Sequence, residues 1–461
     1  MHRTKSSFLI RNESIPLLKL AIPLILTGVV QSSLGFFENI FLARLGEHIL
    51  AAGALVTALF TTLIVVSFGI FSSVNILSAL KFGANDQLSI VLILRDGLLL
   101  ALMLTGPSFL LFWNVSDVLF LFKQSPELVE LAKLYLQALA WGLLPKFIII
   151  VLYEFLLGLG HSRTIMVITI LTIPLYIFFS YAFIFGRFGF PALGIAGAGW
   201  GMTLSDWLVV IFMGIFLFAN HYYRFFMLSI FTLKKPSFLF EILRLGVPIG
   251  LMYCVEVGFF FVITLVMGTI NVQTLAAYQV ALQYLTPLVG IIFCISQAIT
   301  VRMGHQLGAN EINRAKLTAY VGIFLSIFFM VICAIFYWVI PKTLIAVDFD
   351  VNNPDYFLTV HLASKFLFIA AFFQIIESVR FALFGALRAL KDTHFMLLVS
   401  LFSFWVIGLP FGYSLAIPIG LGGDGLWWGM VIGAGLSVIL LYKRFEFRMS
   451  RYQLISNSNV E

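Results

Sequence analysis

From Leu317 to Pro341 the chain runs for 25 residues (341 − 317 + 1 = 25) without one Asp, Glu, Lys or Arg. A helix needs about 20 apolar residues to cross the hydrocarbon of a bilayer. Runs of this kind recur from end to end. In lipid every backbone polar group must be satisfied internally, which leaves a helix bundle or a closed barrel. Barrel strands would read as short segments of alternating polarity. None is seen, so the spans are helical. Composition agrees, with 61% of 461 residues hydrophobic, 11% charged and a mean hydropathy of +1.06. Soluble domains are nearer about half apolar and about a quarter charged, so a soluble-enzyme reading is excluded.

Twelve spans are expected, at about 15–42, 48–80, 90–115, 126–158, 162–186, 194–220, 238–268, 273–303, 311–341, 354–387, 393–416 and 423–446. With this count the basic residues fall mostly on one side. That side holds Arg3, Lys5, Arg11 and Lys19, then Lys81, Arg95 and Arg163, then Arg224, Lys234, Lys235 and Arg244. Arg302, Arg314, Lys316, Arg388, Lys391, Lys443, Arg444, Arg448 and Arg451 complete it, against scattered Arg44, Lys123, Lys133, Arg187 and Lys342 opposite. Excess Lys and Arg mark the cytoplasmic side, so both termini are expected in the cytoplasm of an inner-membrane protein. Membrane orientation therefore explains the net charge of +7 and pI near 9.2, and no nucleic-acid partner is expected. The polar, basic N-terminus MHRTKSSFLIRNES does not read as a signal peptide. Cys254, Cys294 and Cys333 lie in apolar runs and read as small hydrophobes.

The chain also repeats itself. LLKLAIP at 17–23 returns as ILRLGVP at 242–248, ILAAGALV at 49–56 as TLAAYQVA at 274–281, and KFGAND at 81–86 as QLGANE at 306–311. One offset covers all three (248 − 23 = 276 − 51 = 308 − 83 = 225), and GIAGAGWGM at 194–202 returns as GGDGLWWGM at 422–430 with 425 − 197 = 228. A single match is expected by chance among Leu-, Ala- and Gly-rich helices; four in order are not. Six spans per repeat make the repeats parallel, an arrangement that in transporters brackets a central cavity. The expected fold is an all-α membrane protein of two pseudo-symmetric six-helix lobes around such a cavity. Its bounds are an N-terminal lobe 1–220, a cytoplasmic linker 221–237, a C-terminal lobe 238–446 and a cytoplasmic tail 447–461.

Against this background a carboxylate inside a span is conspicuous, because a charge near the bilayer centre costs at least about 2.5–3.5 kcal/mol. Glu256 lies in PIGLMYCVEVGFFFVITLV, with Tyr253, Phe259, Phe260 and Ile263 three, four and seven residues away, hence on its face. A proton or cation site is one reading; a glutamate neutralised by hydrogen bonds and serving only packing is the other. Glu377 in FFQIIESVRF shares its face with Phe373, Gln374, Arg380, Phe381 and Phe384. Arg380 at i+3 could form a permanent ion pair, which would oppose protonation and weaken binding of a second cation. The pair could equally break and re-form as a two-state element. Glu38, beside Asn39 toward the outer end of span 1, is either functional or interfacial. Asp206 and Glu154 are buried carboxylates of the first lobe, and Lys146, two turns before Glu154, suggests a structural polar cluster.

The candidate cation-coupling and substrate set is thus Glu256, Glu377, Glu38, Arg380, Tyr253, Gln283 and Asp206, with Phe259, Phe260, Phe373 and Phe381 as cavity aromatics. Aromatic faces beside carboxylates suit flat lipophilic cations. No cofactor is expected beyond a coupling H+ or Na+, the latter at Glu256 and Glu377, and no other metal. DFDVNNPD at 348–355 begins like an EF-hand loop but has Asn353 at the glycine position and Thr359 at the closing glutamate, so it reads as an outer loop. Pro23, Pro145, Pro174, Pro248, Pro287 and Pro410 fall within or near span interiors and permit kinks.

In FFENIFLARLGEHILAAGAL (36–55), FKQSPELVELAKLYL (122–136), TLAAYQVAL (274–282), QAITVRMGHQLGANE (297–311) and QIIESVRFALFGALRALKDT (374–393), the chain resembles the multidrug and toxic compound extrusion (MATE) family, NorM-like branch. The resemblance runs nearly the whole length, in order. It implies two six-helix lobes exporting organic cations against a proton or sodium gradient. It also implies acidic residues at the positions of Glu38, Glu256 and Glu377, the last usually Asp in the family. Arg380 stands where NorM-like members commonly carry Gln. Small organic cations and membrane lipids are the partners expected, and a monomer suffices. Two alternatives remain. A flippase for lipid-linked cargo would want more cavity-facing cations than Lys146 and Arg380. A membrane transferase would want a catalytic constellation such as His-x4-Asp, which is not found, and the lack of a P-loop excludes a self-contained ATP-driven pump.

Overall fold

The structure, a computed structural model, describes residues 2–115, 119–120, 125–230, 237–351 and 353–458, with side-chain surroundings from Glu13 to Leu454. Lys123, Lys234, Lys235, Asn352 and the end of the tail lie outside the described residues, as do the side chains of Arg3, Lys5 and Arg11. The helices are α1 (His2–Ala43), α2 (Glu47–Gly83), α3 (Gln87–Trp113), α4 (Pro126–Ala140), α5 (Leu143–Gly158), α6 (Ser162–Phe185), α7 (Ile195–Ala219) and α8 (His221–Ser229). They continue as α9 (Leu239–Ile270), α10 (Val272–Gly308), α11 (Ile312–Val339), the short α12 (Pro341–Ile345), α13 (Phe357–Ala389), α14 (Thr393–Ser400), α15 (Leu409–Ala416) and α16 (Gly423–Ser458). A π-helical segment, Leu401–Gly408, joins α14 to α15 in one span.

Eleven helices among the described residues are long and apolar enough to cross a membrane, and α4 with α5, bent by 53°, supplies a twelfth. The bend has a cause legible in sequence. Pro145 has no N–H for the carbonyl of Trp141, four residues back. That carbonyl instead accepts from Trp207 Nε1 of α7 at 3.3 Å.

The repeats found in sequence do the same structural work in each half. KFGAND and QLGANE both end a helix with Asn in the left-handed region, Asn85 at φ 56° and Asn310 at φ 62°, a conformation Asn tolerates. The following acid begins the next helix. Asp86 caps α3 by accepting from Ser89 N at 3.1 Å, while Glu311 precedes α11 without a side-chain cap. The second pair of motifs places glycine where two helices touch. A Cβ on Gly197 would sit 2.4 Å from Phe183 O of α6, and one on Gly201 would sit 2.6 Å from Ser180 Cα. Their counterparts Gly425 and Gly429 meet Ala416 N at 2.5 Å and Gly412 Cα at 2.4 Å.

The chain forms two compact units, Ile22–Gly250 and Met1–Ala21 with Leu251–Glu461. These edges differ from the sequence-level bounds in three ways, each with a physical reason. First, α1 belongs to the second unit as far as Ala21. Glu13, buried, accepts from Arg302, Arg314, Gln306 and Thr318 at 2.8–3.2 Å, and Leu17 and Ala21 are buried. Second, 221–237 is more than a linker. Its α8 buries Tyr223 and Phe226, Tyr223 bonds His161 at 2.9 Å, and Asp96 Oδ2 accepts from the backbone N–H of Ser237 and Phe238 at 2.8 and 2.7 Å. Third, α16 continues through the expected tail to Ser458. Both changes of unit fall inside a helix, within two or three residues of the repeat-mate prolines Pro23 and Pro248.

In the second unit α13 is the hub. It packs along α10, α11 and α16, and 72% of its most apolar window is buried, against 17% for α2. A side chain on α13 therefore meets protein on nearly every face. At the end of the DFDVNNPD stretch, Asn353 Oδ1 accepts from Asp355 N at 3.0 Å.

Candidate functional site

Each unit brings candidate acids together with a base inside its spans. In the second unit, α9 contributes Glu256 and α13 contributes Glu377 and Arg380. One turn apart, the latter two form a fork: Arg380 Nε donates to Glu377 Oε1 at 2.9 Å and Nη2 to Oε2 at 2.7 Å. Arg380 Nη1 reaches across to Glu256 Oε1 at 2.5 Å, the same oxygen that accepts from Ser400 Oγ at 3.0 Å. The side chains of Arg380 and Glu377 are 3% exposed and that of Glu256 is 12% exposed. Planar guanidinium and carboxylate groups match in such bidentate pairs, which makes them stronger than single contacts. Phe384, Phe404 and Phe381 surround the guanidinium carbon, their ring centres 4.7, 4.9 and 5.1 Å away.

The π-helical segment brings the last pieces into place. Its wider turns carry Phe404 and Trp405 onto α9, where Trp405 Nε1 donates to Val255 O at 3.0 Å and Phe404 meets Phe259 at 4.9 Å. Such segments are rare and often sit at functional sites.

Further along α13, Arg388 is fully buried. It donates to Tyr253 OH at 2.7 Å and Gln297 Oε1 at 3.1 Å, with the Phe293 ring 5.7 Å away. Glu377, Arg380, Phe384 and Arg388, at spacings of three, seven and eleven, form one column down the helix. Counted as two carboxylates and two guanidiniums, its charged neighbourhood sums to zero.

In the first unit, Lys146 at the start of α5 pairs with Asp206 of α7 at 3.2 Å, and Tyr176 OH of α6 donates to the same Oδ1. Tyr176 also lines a cavity of about 20 Å³ with Leu34, Phe37, Glu38, Phe41 and Ser180. Glu38 Oε1 there is buried without a hydrogen-bond partner among the described residues. The cavity walls are mostly apolar, with Glu38, Tyr176 and Ser180 as the polar residues.

The sequence-level set is therefore redistributed. Glu256, Glu377 and Arg380 come together, as their helical faces suggest. Asp206 and Glu38 meet on either side of Tyr176. Lys146, expected in a polar cluster, pairs with Asp206. Tyr253 serves Arg388, not Glu256. Gln283 is exposed and donates to Asp348 Oδ1 at 3.3 Å, so it lies outside the acid cluster. Of the expected cavity aromatics, Phe259, Phe373 and Phe381 are 1%, 1% and 5% exposed and belong to the packed interior of the second unit, while Phe260 is partly buried against Phe373. Sequence reasoning missed Tyr176, Gln297, Arg388, Ser400 and Phe404. Only Arg388 carried a usable signal, its place on the Glu377 column; it had been assigned to a loop with Lys391.

Comparison with known proteins places the chain in a wider set. A family model described as MatE matches residues 23–182 and 248–414. A "Probable multidrug resistance protein NorM" of Pseudomonas putida is 31% identical over 94% of this chain and 94% of its own length, and one of Brucella suis biovar 1 is 29% identical over 96% and 95%. Among solved structures, a MATE protein in the bent conformation superposes with a TM-score of 0.87 at 20% identity, covering 97% of this chain and 98% of that one. A multidrug resistance MATE family transporter in the outward-facing conformation gives 0.84 at 21%, covering 96% and 98%. At those identities the structural likeness speaks to the fold.

Proposed function

The chain belongs to the MATE family of membrane transporters, and from that premise we propose that it exports lipophilic, mostly cationic compounds in exchange for H+ or Na+ by alternating access. Its relatives are transporters, so the membrane-transferase alternative falls away. The observation that carries the proposal is acids held within spans of each unit, Glu256 and Glu377 in one and Asp206 with Glu38 in the other. Intramembrane acids are costly and mark ion or substrate paths. A cation entering near Glu256 and Glu377, or near Glu38 and Asp206, competes with a cationic substrate for the same negative charge. That competition is the physical basis of exchange. One elementary charge moving through 100 mV supplies about 2.3 kcal/mol toward it.

The excess of Lys and Arg on one set of loops supports an inner-membrane protein with both termini in the cytoplasm. The flippase alternative gains little from this arrangement, since Lys146, Arg380 and Arg388 are all engaged inside their units. The test is ethidium movement in proteoliposomes under an imposed proton or sodium gradient, in separate runs, for wild type, Glu256→Gln and Glu38→Gln. Gradient-driven movement that either variant abolishes supports exchange. Movement under neither gradient, with folded protein, sinks the proposal.

A further inference from the structure

We propose that Arg380 sets the ion selectivity of the second-unit cluster: its guanidinium fills the seat of a metal cation between Glu256 and Glu377, leaving the proton as the coupling cation they accept. The inference rests on the exchange reading above and narrows it to one ion at one site.

The geometry carries the argument. A hard cation is held by collecting several oxygen ligands around itself. The two carboxylates offer four oxygens, and three of them, both of Glu377 and Oε1 of Glu256, already accept from Arg380. Oε1 of Glu256 is taken a second time by Ser400. Sodium would have to displace the fork and then sit within contact range of a fixed positive charge. Three phenyl rings lie within 5.1 Å of that guanidinium, and its side chain is 3% exposed, so it is held in place by packing as well as by the acids.

A proton has no such requirement, because it needs one lone pair. The fourth oxygen, Glu256 Oε2, has no hydrogen bond among the described residues and belongs to the most exposed side chain of the three. Protonation there forms one O–H bond, takes the Glu256–Glu377–Arg380 group from a charge of −1 to 0, and leaves the Arg380–Glu377 fork intact. The charged and titratable groups around it are Glu377, Arg380 and Arg388 on α13 and Tyr253 on α9. The neighbouring α14, π segment and α10 supply uncharged Ser400, Trp405 and Gln297. A proton and a sodium ion each add one positive charge to this neighbourhood, so what separates them is the set of oxygen ligands that sodium needs and Arg380 already occupies.

The test separates binding from transport. Radioactive sodium binding to the purified full chain is measured at constant ionic strength for wild type, Glu256→Gln, Arg380→Gln, and Arg380→Gln combined with Glu256→Gln. Wild type is expected to show no saturable binding that depends on Glu256. Arg380→Gln is expected to gain saturable binding, tighter by about tenfold or more than any in wild type, and the double variant to lose it. In proteoliposomes the wild-type dye flux follows the proton gradient and ignores sodium. Saturable sodium binding by wild type that Glu256→Gln removes would overturn the proposal. So would a folded Arg380→Gln protein that binds no sodium. If that variant does not fold, wild type and Glu256→Gln decide alone: Glu256-dependent sodium binding by wild type refutes the proposal, and its absence supports it. Dye movement under neither gradient is a failure of the exchange reading and leaves the binding results to stand separately.

Discussion

The two units solve the same problem, an acid inside a membrane helix, in opposite ways. The second unit closes its cluster. Arginine is planar and presents several donors, so one side chain engages both Glu377 oxygens and reaches Glu256 as well. The first unit leaves its cluster open. Lysine is a point charge on a flexible stem; Lys146 makes one ion pair, to Asp206, and lies over the Tyr176 ring at 5.4 Å, while Glu38 Oε1 is left without a hydrogen bond among the described residues beside a small cavity. The choice of base therefore decides how many acid oxygens it can satisfy at once.

The sharpest way to break this comparison is to remove one acid from each cluster. Glu377→Ala strands a buried guanidinium with one carboxylate, and losing a partner from a buried ion pair costs about 3–5 kcal/mol. Glu38→Ala removes an oxygen with no partner and should cost less than about 1 kcal/mol. Thermal unfolding in detergent checks this, and equal losses would show that the two clusters are not different in kind.

A smaller effect tests the repeat beneath both units. Gly201→Ala and Gly429→Ala each press a methyl group onto the backbone of a neighbouring helix, at 2.6 and 2.4 Å before relaxation. Overpacking of this sort costs about 1–3 kcal/mol. The two losses should agree within about 1 kcal/mol by the same melting assay if the motifs are structural equivalents.

The smallest effect distinguishes the repeat-mate acids Asp86 and Glu311. Asp86→Ala removes a helix cap, at about 0.5–2 kcal/mol, whereas Glu311→Ala removes only a partly exposed ion pair to Arg314, about 0–1 kcal/mol. The hydrogen bonds from Ser89 and Lys81 hold the Asp86 carboxyl down at about 2. A carboxyl whose folded pKa lies below its unfolded value stabilises the fold above the unfolded pKa. The Asp86 contribution should therefore be constant above about pH 4 and fade between about pH 4 and 2. A pH series of the Asp86→Ala difference checks it; a difference that grows on acidification would refute the assignment.

Much of this was legible in one dimension. The spans, the bend at Pro145, the glycine contacts of 197, 201, 425 and 429, and the asparagine turns at 85 and 310 all follow from local composition or from the repeat. The Glu377–Arg380 pair was legible too, because three residues along a helix is one turn. Glu256 could be named as an unusual residue but not given a partner. Lys146 could be placed in a polar cluster from its spacing, but its partner Asp206 stands on α7. Phe259, Phe373 and Phe381 were read as cavity walls because aromatic residues beside an acid look the same in sequence whether they line a void or fill one. Gln283 was grouped with the acids by span, although its position along α10 directs it to Asp348.

What the sequence by itself determined is the membrane class, the number of spans, the duplication and the identity of the acids inside. These depend on bilayer thickness, helix period and a fixed offset, all of which are properties of residues near one another in the chain. Only the tertiary structure decided which charge each acid meets and where a unit begins and ends. Asp206 meets a lysine 60 residues away and Glu256 an arginine 124 residues away, and Glu13 is held by Arg302 at a separation of 289. The cost of a buried charge compels a partner in every case, but that cost is blind to sequence distance. Helix packing alone sets which base arrives, and with it whether the acid is left open or closed.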